Sequence, residues 1–494
     1  MLKRAAKVFG LLLLGGLVTG LAAGIWFVNN QPDLSPWHEV QLSEEFTEQS
    51  EVVDFAGYLA LEERLFAELD DKLVDRLSSA DPRLLNRDYR SSPAHPDRWA
   101  QNWNRSFELP QAAPRAGVLL LHGMSDSPYS LRSQGLRLHA EGAWVLGLRI
   151  PGHGTAPAGL VDASWQDMAA AVRLAMAHLS ARMGERPITI VGYSNGGALG
   201  VQYALAALSD DSLTVPANIV LISPAIGVTS LAAFAIWQER IGGLLGLDKL
   251  QWNSVLPEYN PFKYQSFAVN AGDQTYRLTA EIAAQLERLG KQGQLQRFPP
   301  VLAFQSAADA TVSTPALITG LMDKLPENGH ELVVFDINKA ADIAELISQD
   351  PEAVLRPLLS SRRLPFTLTL LGNRDAESDE LLVRKYLPGD AEFRTEPLGM
   401  RWPDELFSLS HVALPFAPDD PLYGKDIRDD VEHVQLGMLS FRGERGVLSV
   451  SSADMLRLTW NPFHAWMQSR IQAFVFKAST SSEPESPQSA AITP

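Results

Sequence analysis

Cysteine is absent from the 494-residue chain. Its absence excludes a thiol nucleophile, a disulfide framework, cysteine-ligated zinc or iron–sulfur centres, and lipidation on cysteine. Basic clusters are scarce as well: 42 Lys and Arg stand against 58 Asp and Glu, a formal charge of −16, and no basic block occurs after the first seven residues. Sequence-independent affinity for nucleic acid comes from clustered Lys and Arg, so nucleic acid is not an expected partner. What the chain does have is 46% apolar against 20% charged residues, a globular composition able to bury a large core. At roughly 150 residues per domain the length allows two or three domains, or one large α/β domain with insertions.

The two ends are unlike the middle. Lys3, Arg4 and Lys7 precede an uncharged run of 21 residues from Val8 to Val28, which as a helix rising 1.5 Å per residue spans a ~30 Å hydrocarbon core. The expectation is a signal-anchor over residues 1–30, with the basic flank cytoplasmic and the rest exported. Cleavage near Gly20 and Ala22, giving a secreted protein, is the alternative. Residues 477–494 are rich in Ser, Pro and Glu without an apolar period, as in a disordered tail.

Residues 31–114 read as a linker and a helical extension, because Leu61, Leu65, Leu69, Leu73 and Leu77 recur at four-residue spacing. From about residue 115 to 476 short apolar runs alternate with helical stretches, the pattern of a mostly parallel sheet covered on both faces. Strands are expected at 117–123, 143–150, 187–194, 218–225, 300–307 and 330–337, with helices at 164–183, 195–208 and 461–476. Two insertions interrupt this domain: a helical cap at 227–298, and a second stretch at 339–402 with its own apolar strand at 365–372.

Gly192-Tyr193-Ser194-Asn195-Gly196 is a G-x-S-x-G pentapeptide that closes an all-apolar strand and opens an Ala/Leu-rich helix. So sharp a turn lifts the Ser oxygen clear of the sheet and sets it at the positive end of a helix. A serine hydroxyl needs an imidazole to take its proton and a carboxylate to orient that imidazole. Asp309, directly after the strand at 300–307, is the candidate acid, with Asp336 as competitor inside its own strand. Among ten histidines, His411 follows the last core strand, where the order Ser, acid, His puts the base; His433 and His464 are fallbacks, and His153 sits in a Gly-flanked turn at the right edge. The oxyanion formed on attack needs backbone donors. Asn195 N–H supplies one and Met124 N–H, after the first strand of the domain, is the candidate for the other, with His122 shaping that loop.

Taken in order, HGMSDSPYS, RIPGHGTAPAGL, GYSNGG and AADATV resemble the α/β-hydrolase fold serine hydrolases, within them the carboxylesterase, monoacylglycerol lipase and serine aminopeptidase-like group. The resemblance covers roughly residues 115–225 and 300–337. It implies an α/β-hydrolase fold with a helical cap that shapes the acyl pocket, and a triad of Ser194, Asp309 and His411 with Met124 and Asn195 as oxyanion donors. One departure stands out: family members place the histidine shortly after the last strand, whereas 73 residues separate Ile337 from His411 here. The expected activity is cleavage of a small ester or lipid-like substrate without metal or cofactor. An aminopeptidase or acyltransferase would use the same triad, the former needing a carboxylate such as Glu239, Glu258, Asp273 or Glu281 for a free amine. A non-catalytic binding protein on the same scaffold is the alternative of another class.

Overall fold

The computed structural model describes residues 32–77, 84–227, 248–340, 363–390, 392–426, 428–437 and 450–480, with 15, 16 and 19. Ten of its strands form one sheet: β1 Phe107–Leu109, β2 Ala116–Leu121, β3 Ala143–Leu148, β4 Ile188–Tyr193, β5 Asn218–Ile222, β8 Val301–Ser306, β9 Glu331–Phe335, β10 Thr367–Asn373, β11 Glu380–Tyr386 and β12 Arg394–Arg401. Two short strands, β6 Trp252–Ser254 and β7 Phe267–Ala268, pair apart from it. The strand order is β1-β3-β2-β4-β5-β8-β9-β10-β11-β12. From β3 to β10 every neighbouring pair is parallel, while β1 at one edge and β11 and β12 at the other run antiparallel.

The central strands are apolar on both faces because both are covered. On one face Leu119, Leu121, Ile190, Leu221 and Ala303 pack with the helices α2 Trp165–Met183, α3 Asn195–Ala207 and α4 Val269–Lys291. On the other Val118, Val191, Val220, Phe304 and Phe335 meet Met467, Ile471 and Val475 of the helix α5 His464–Thr480. That last helix runs beyond the expected residue 476, so residues 477–480 of the expected tail are helical; Lys477 and Ala478 are good helix formers and nothing stops the helix before them.

The extension helix α1, Phe55–Lys72, starts where Asp54 accepts the Gly57 N–H at 2.7 Å. Its stripe of Phe55, Tyr58 and Leu61 joins the main core, and Phe66, Leu69 and Leu73 pack with Trp37 and Ala156. A buried ion network locks it down. The Arg149 guanidinium, fully buried at the end of β3, pairs with Glu45 at 2.9 Å and with Glu62 of α1 at 3.2 Å, while Tyr58 donates to the Arg149 carbonyl at 2.6 Å.

The stretch expected as a second insertion is, where described, a continuation of the sheet. Its apolar strand is β10, parallel to β9, and the chain then adds the β11–β12 hairpin at the edge. From there it returns to the carboxyl ends of the strands: Asn338 N–H donates to the Phe407 carbonyl at 2.8 Å, and Ser306 Oγ to the Leu409 carbonyl at 2.7 Å. Residues 228–247 of the expected cap and 341–362 of the second stretch lie outside the described residues, as does nearly all of the expected anchor. Among the described residues no helix is long and apolar enough to cross a membrane.

Candidate active site

Ser194 stands between β4 and α3 with φ 53° and ψ −117°, a conformation an L residue holds only when its surroundings impose it. The surroundings are glycines. A Cβ at Gly196 would lie 2.1 Å from the Leu121 carbonyl oxygen, and one at Gly192 would lie 2.5 Å from Gly197 Cα. The turn closes because those side chains are missing. Ser194 N–H donates to the Ile222 carbonyl, and its own carbonyl accepts from Gly197 and Ala225, each at 3.0 Å. Its neighbours are buried while Ser194 itself is half-exposed.

The loop after β2 also comes close: a Cβ at Gly123 would be 3.2 Å from Ser194 Cβ. Met124 and Asn195 line the cavity of about 470 Å³ onto which Ser194 opens. Among the described residues neither backbone N–H has an acceptor, as expected for the first residue of a helix. His122 holds this loop in a single neutral tautomer, donating from Nδ1 to the Gly123 carbonyl at 2.9 Å and accepting the Ile150 N–H on Nε2 at 3.0 Å. Burial keeps it unprotonated well below the usual imidazole range, and nearby His153 adds to the effect.

His411 begins a short turn capped by Ser410, whose Oγ accepts the Ala413 N–H at 3.2 Å and donates to the Leu458 carbonyl. Its Nδ1–H donates to Asp309 Oδ2 at 2.9 Å, and both side chains are buried. Asp309 is itself held by four donors. Gln305 Nε2 also reaches Oδ2 at 3.0 Å, and the Thr311 and Val312 N–H groups reach Oδ1 at 2.8 and 3.0 Å. Burial alone would raise this carboxyl, but the hydrogen bond and charge of His411 and the two backbone donors outweigh it and hold it below the ordinary 3.8. The pairing leaves His411 Nε2 as the basic atom, in a ring that lines the same cavity as Ser194.

The other imidazoles are occupied elsewhere. His433 stacks on Trp99 at 3.8 Å, His464 meets Gln134 at 3.1 Å, and His153 is buried against the Pro151 carbonyl. Asp336 accepts the Ile337 N–H and pairs with Lys339, and so is engaged away from any histidine. Among the described residues no three His, Asp or Glu side chains cluster as a metal site would. Two residues that sequence reasoning passed over, Lys263 and Arg457, line the cavity; lone cations in loops carry no pattern that would mark them.

Residues 112–337 match the family model described as serine aminopeptidase, S33. The chain resembles the α/β-hydrolase serine hydrolases. No curated protein matches it. Solved structures similar to it include one of the metagenome-derived lipolytic enzymes LipS and LipT, at 21% identity over 53% of this chain and 98% of the other, TM-score 0.36. The monoacylglycerol lipase of Paleococcus ferrophilus aligns at 18% identity over 47% and 89%, TM-score 0.35. A soluble variant of the Saccharomyces cerevisiae monoglyceride lipase aligns at 13% over 47% and 82%, TM-score 0.36.

Proposed function

We propose that this hydrolase cleaves carboxylic esters through an acyl-enzyme, with Ser194 as nucleophile, His411 as base and Asp309 as its orienting acid. The observation that carries the reading is that His411, paired with the buried Asp309, lines one cavity with a serine held at φ 53°. Ser194 Oγ attacks the ester carbonyl as His411 Nε2 takes its proton, and the oxyanion is met by the Met124 and Asn195 N–H groups. The imidazolium, stabilised by Asp309, then gives that proton to the departing alkoxide. Water, deprotonated by the same imidazole, releases the acid and restores Ser194.

The ester reading is favoured over an aminopeptidase by where the carboxylates stand. Glu258 accepts the Gln265 and Ser266 N–H groups, Asp273 pairs with Arg277 at 2.7 Å, and Glu281 accepts from Gln285. None of the three lines the catalytic cavity, and Glu239 lies outside the described residues. The basic start and the uncharged run from Val8 to Val28 support tethering of this domain to a membrane on its exported side, which fractionation of tagged full-length protein tests.

The deciding experiment is labelling by a fluorophosphonate probe. Wild-type protein is expected to label and Ser194→Ala to be silent; folded wild-type protein that does not label would turn the reading toward a binding protein on this scaffold. His411→Ala is expected to lower turnover by several orders of magnitude in a protein that still folds, with some stability lost because the buried Asp309 carboxylate loses its partner.

A further inference from the structure

The catalytic cavity carries charge of one sign. Besides His411, the charged side chains lining it are Lys263 and Arg457, both cations, and no carboxylate among the described residues lines it. A second cavity of about 570 Å³ adjoins it and shares Tyr193, Lys263, Phe267, Val412 and Arg457 with it, and the carboxylates of Asp126 and Asp454 belong to that one alone. In a chain with 58 acidic against 42 basic residues, two cations beside Ser194 are a local feature rather than part of a basic surface.

Neither cation has its donors used up by the fold. Lys263 Nζ forms only a long ion pair with the buried Asp126 Oδ2 at 3.9 Å, beyond hydrogen-bond reach. Arg457 donates from Nη2 to Thr311 Oγ1 at 2.8 Å, and among the described residues no carboxylate pairs with it. A guanidinium has five N–H donors in a planar fork suited to two oxygens at once, so among the described residues most of its capacity faces no protein acceptor. Thr311 lies two residues past Asp309 and gives it a backbone N–H, which fixes Arg457 over the loop of the acid.

We propose that Arg457, assisted by Lys263, binds an anionic group of the substrate, a carboxylate or a phosphate, so that the preferred ester is an anion. This rests on the serine hydrolase reading above. A half-buried cation with a neutral partner strengthens its interaction with an entering anion, because little water competes there. The same two charges repel the ammonium group that an aminopeptidase substrate presents.

The test uses matched ester pairs on the full chain. Mono-p-nitrophenyl suberate against p-nitrophenyl octanoate puts the carboxylate on the acyl side. 4-Carboxyphenyl butyrate against phenyl butyrate puts it on the alcohol side, and 1-butyrylglycerol 3-phosphate against 1-butyrylglycerol replaces it by phosphate. In at least one pair kcat/KM for the anion is expected to exceed that for the neutral ester roughly 10- to 100-fold, the worth of a charge-assisted hydrogen bond. Arg457→Met is expected to collapse that ratio mainly through KM, Arg457→Lys to keep part of it, and Lys291→Met, on the exposed end of α4, to leave it unchanged. The proposal is overturned if no pair favours the anion, or if Arg457→Met lowers both members equally, as a merely structural tie to Thr311 would. Fluorophosphonate labelling of each protein separates the two levels: labelled protein without anion preference sinks this inference alone, whereas unlabelled wild type sinks the hydrolase reading with it.

Discussion

Asp309→Asn is the substitution whose effect follows most directly from the geometry. The carboxylate accepts two backbone N–H groups on Oδ1, and Gln305 Nε2 and His411 Nδ1–H on Oδ2. An amide has one oxygen, and the backbone donors cannot turn away, so the oxygen takes the Oδ1 place and the NH₂ points at His411 and Gln305. Gln305 can reverse its own amide, whose Oε1 has no partner. His411 can avoid the clash only by moving its proton to Nε2 and accepting on Nδ1. That tautomer has no free lone pair for the Ser194 proton. The expected loss is about 10³- to 10⁴-fold in kcat, the scale seen when a triad imidazole is held in the wrong tautomer, or about 4–5.5 kcal/mol of barrier. Folding suffers less, by about 1–2 kcal/mol, since a charge-assisted bond becomes a neutral one. The pH dependence follows from the lowered pKa. The carboxylate's contribution to stability is fully present above the ordinary 3.8 and is lost as pH falls through the lower folded value. The Asp309 share of the stability gap between wild type and variant is therefore full from pH 5 to 8 and is lost only in stronger acid. Steady-state hydrolysis and urea denaturation across that range measure both quantities. Asp309→Asn with kcat within tenfold of wild type and an intact fold would refute the assignment, while Asp336→Asn, engaged by Lys339, is expected to leave kcat unchanged.

Gly196→Ala would set a methyl 2.1 Å from one backbone carbonyl and 2.4 Å from the next; a loss of at least about 3 kcal/mol by urea denaturation is expected, and wild-type stability would show that the turn has room. Arg149→Met strips the buried Glu62 of its guanidinium, leaving the Ser106 donors alone; it is expected to cost about 3–5 kcal/mol, part of which Glu62→Gln on the same background restores, and a double variant no better than the single would count against an uncompensated charge. Excision of residues 380–401, with Gly-Gly joining Asp379 to Trp402, is expected to lower the thermal midpoint yet keep fluorophosphonate labelling. Trp402 N–H already donates to the Asp379 carbonyl at 2.9 Å, and folded protein that fails to label would mean that the hairpin positions His411.

Why the two halves of this site differ so much in legibility is a matter of interaction range. Ser194 announces itself locally: the glycines that let the turn close are two residues to either side, and the clashes they avoid involve backbone that any strand-turn-helix of this kind brings together. Asp309 is marked by its place at the end of a fully buried, mostly apolar strand, and such strands are readable because both of their faces are buried. The edge strands obey neither rule. β1 has three residues, and β11 and β12 carry Glu, Arg and Lys on sides that face water, so their pairing shows only once β10 offers an edge. The return to His411 is the least visible step. It is held by the carbonyls of Leu406, Phe407 and Leu409, which accept from Asn338 and Ser306, and a backbone carbonyl is the same whatever side chain it bears. A stretch of 73 residues between Ile337 and His411 therefore looks like a displaced base, although in the fold it is a sheet lengthened at one edge and then recrossed. Lys263 and Arg457 are hidden for the same reason: each is a single cation in a loop, and what distinguishes it from a solvated one is the cavity wall it joins, assembled from segments nearly 200 residues apart.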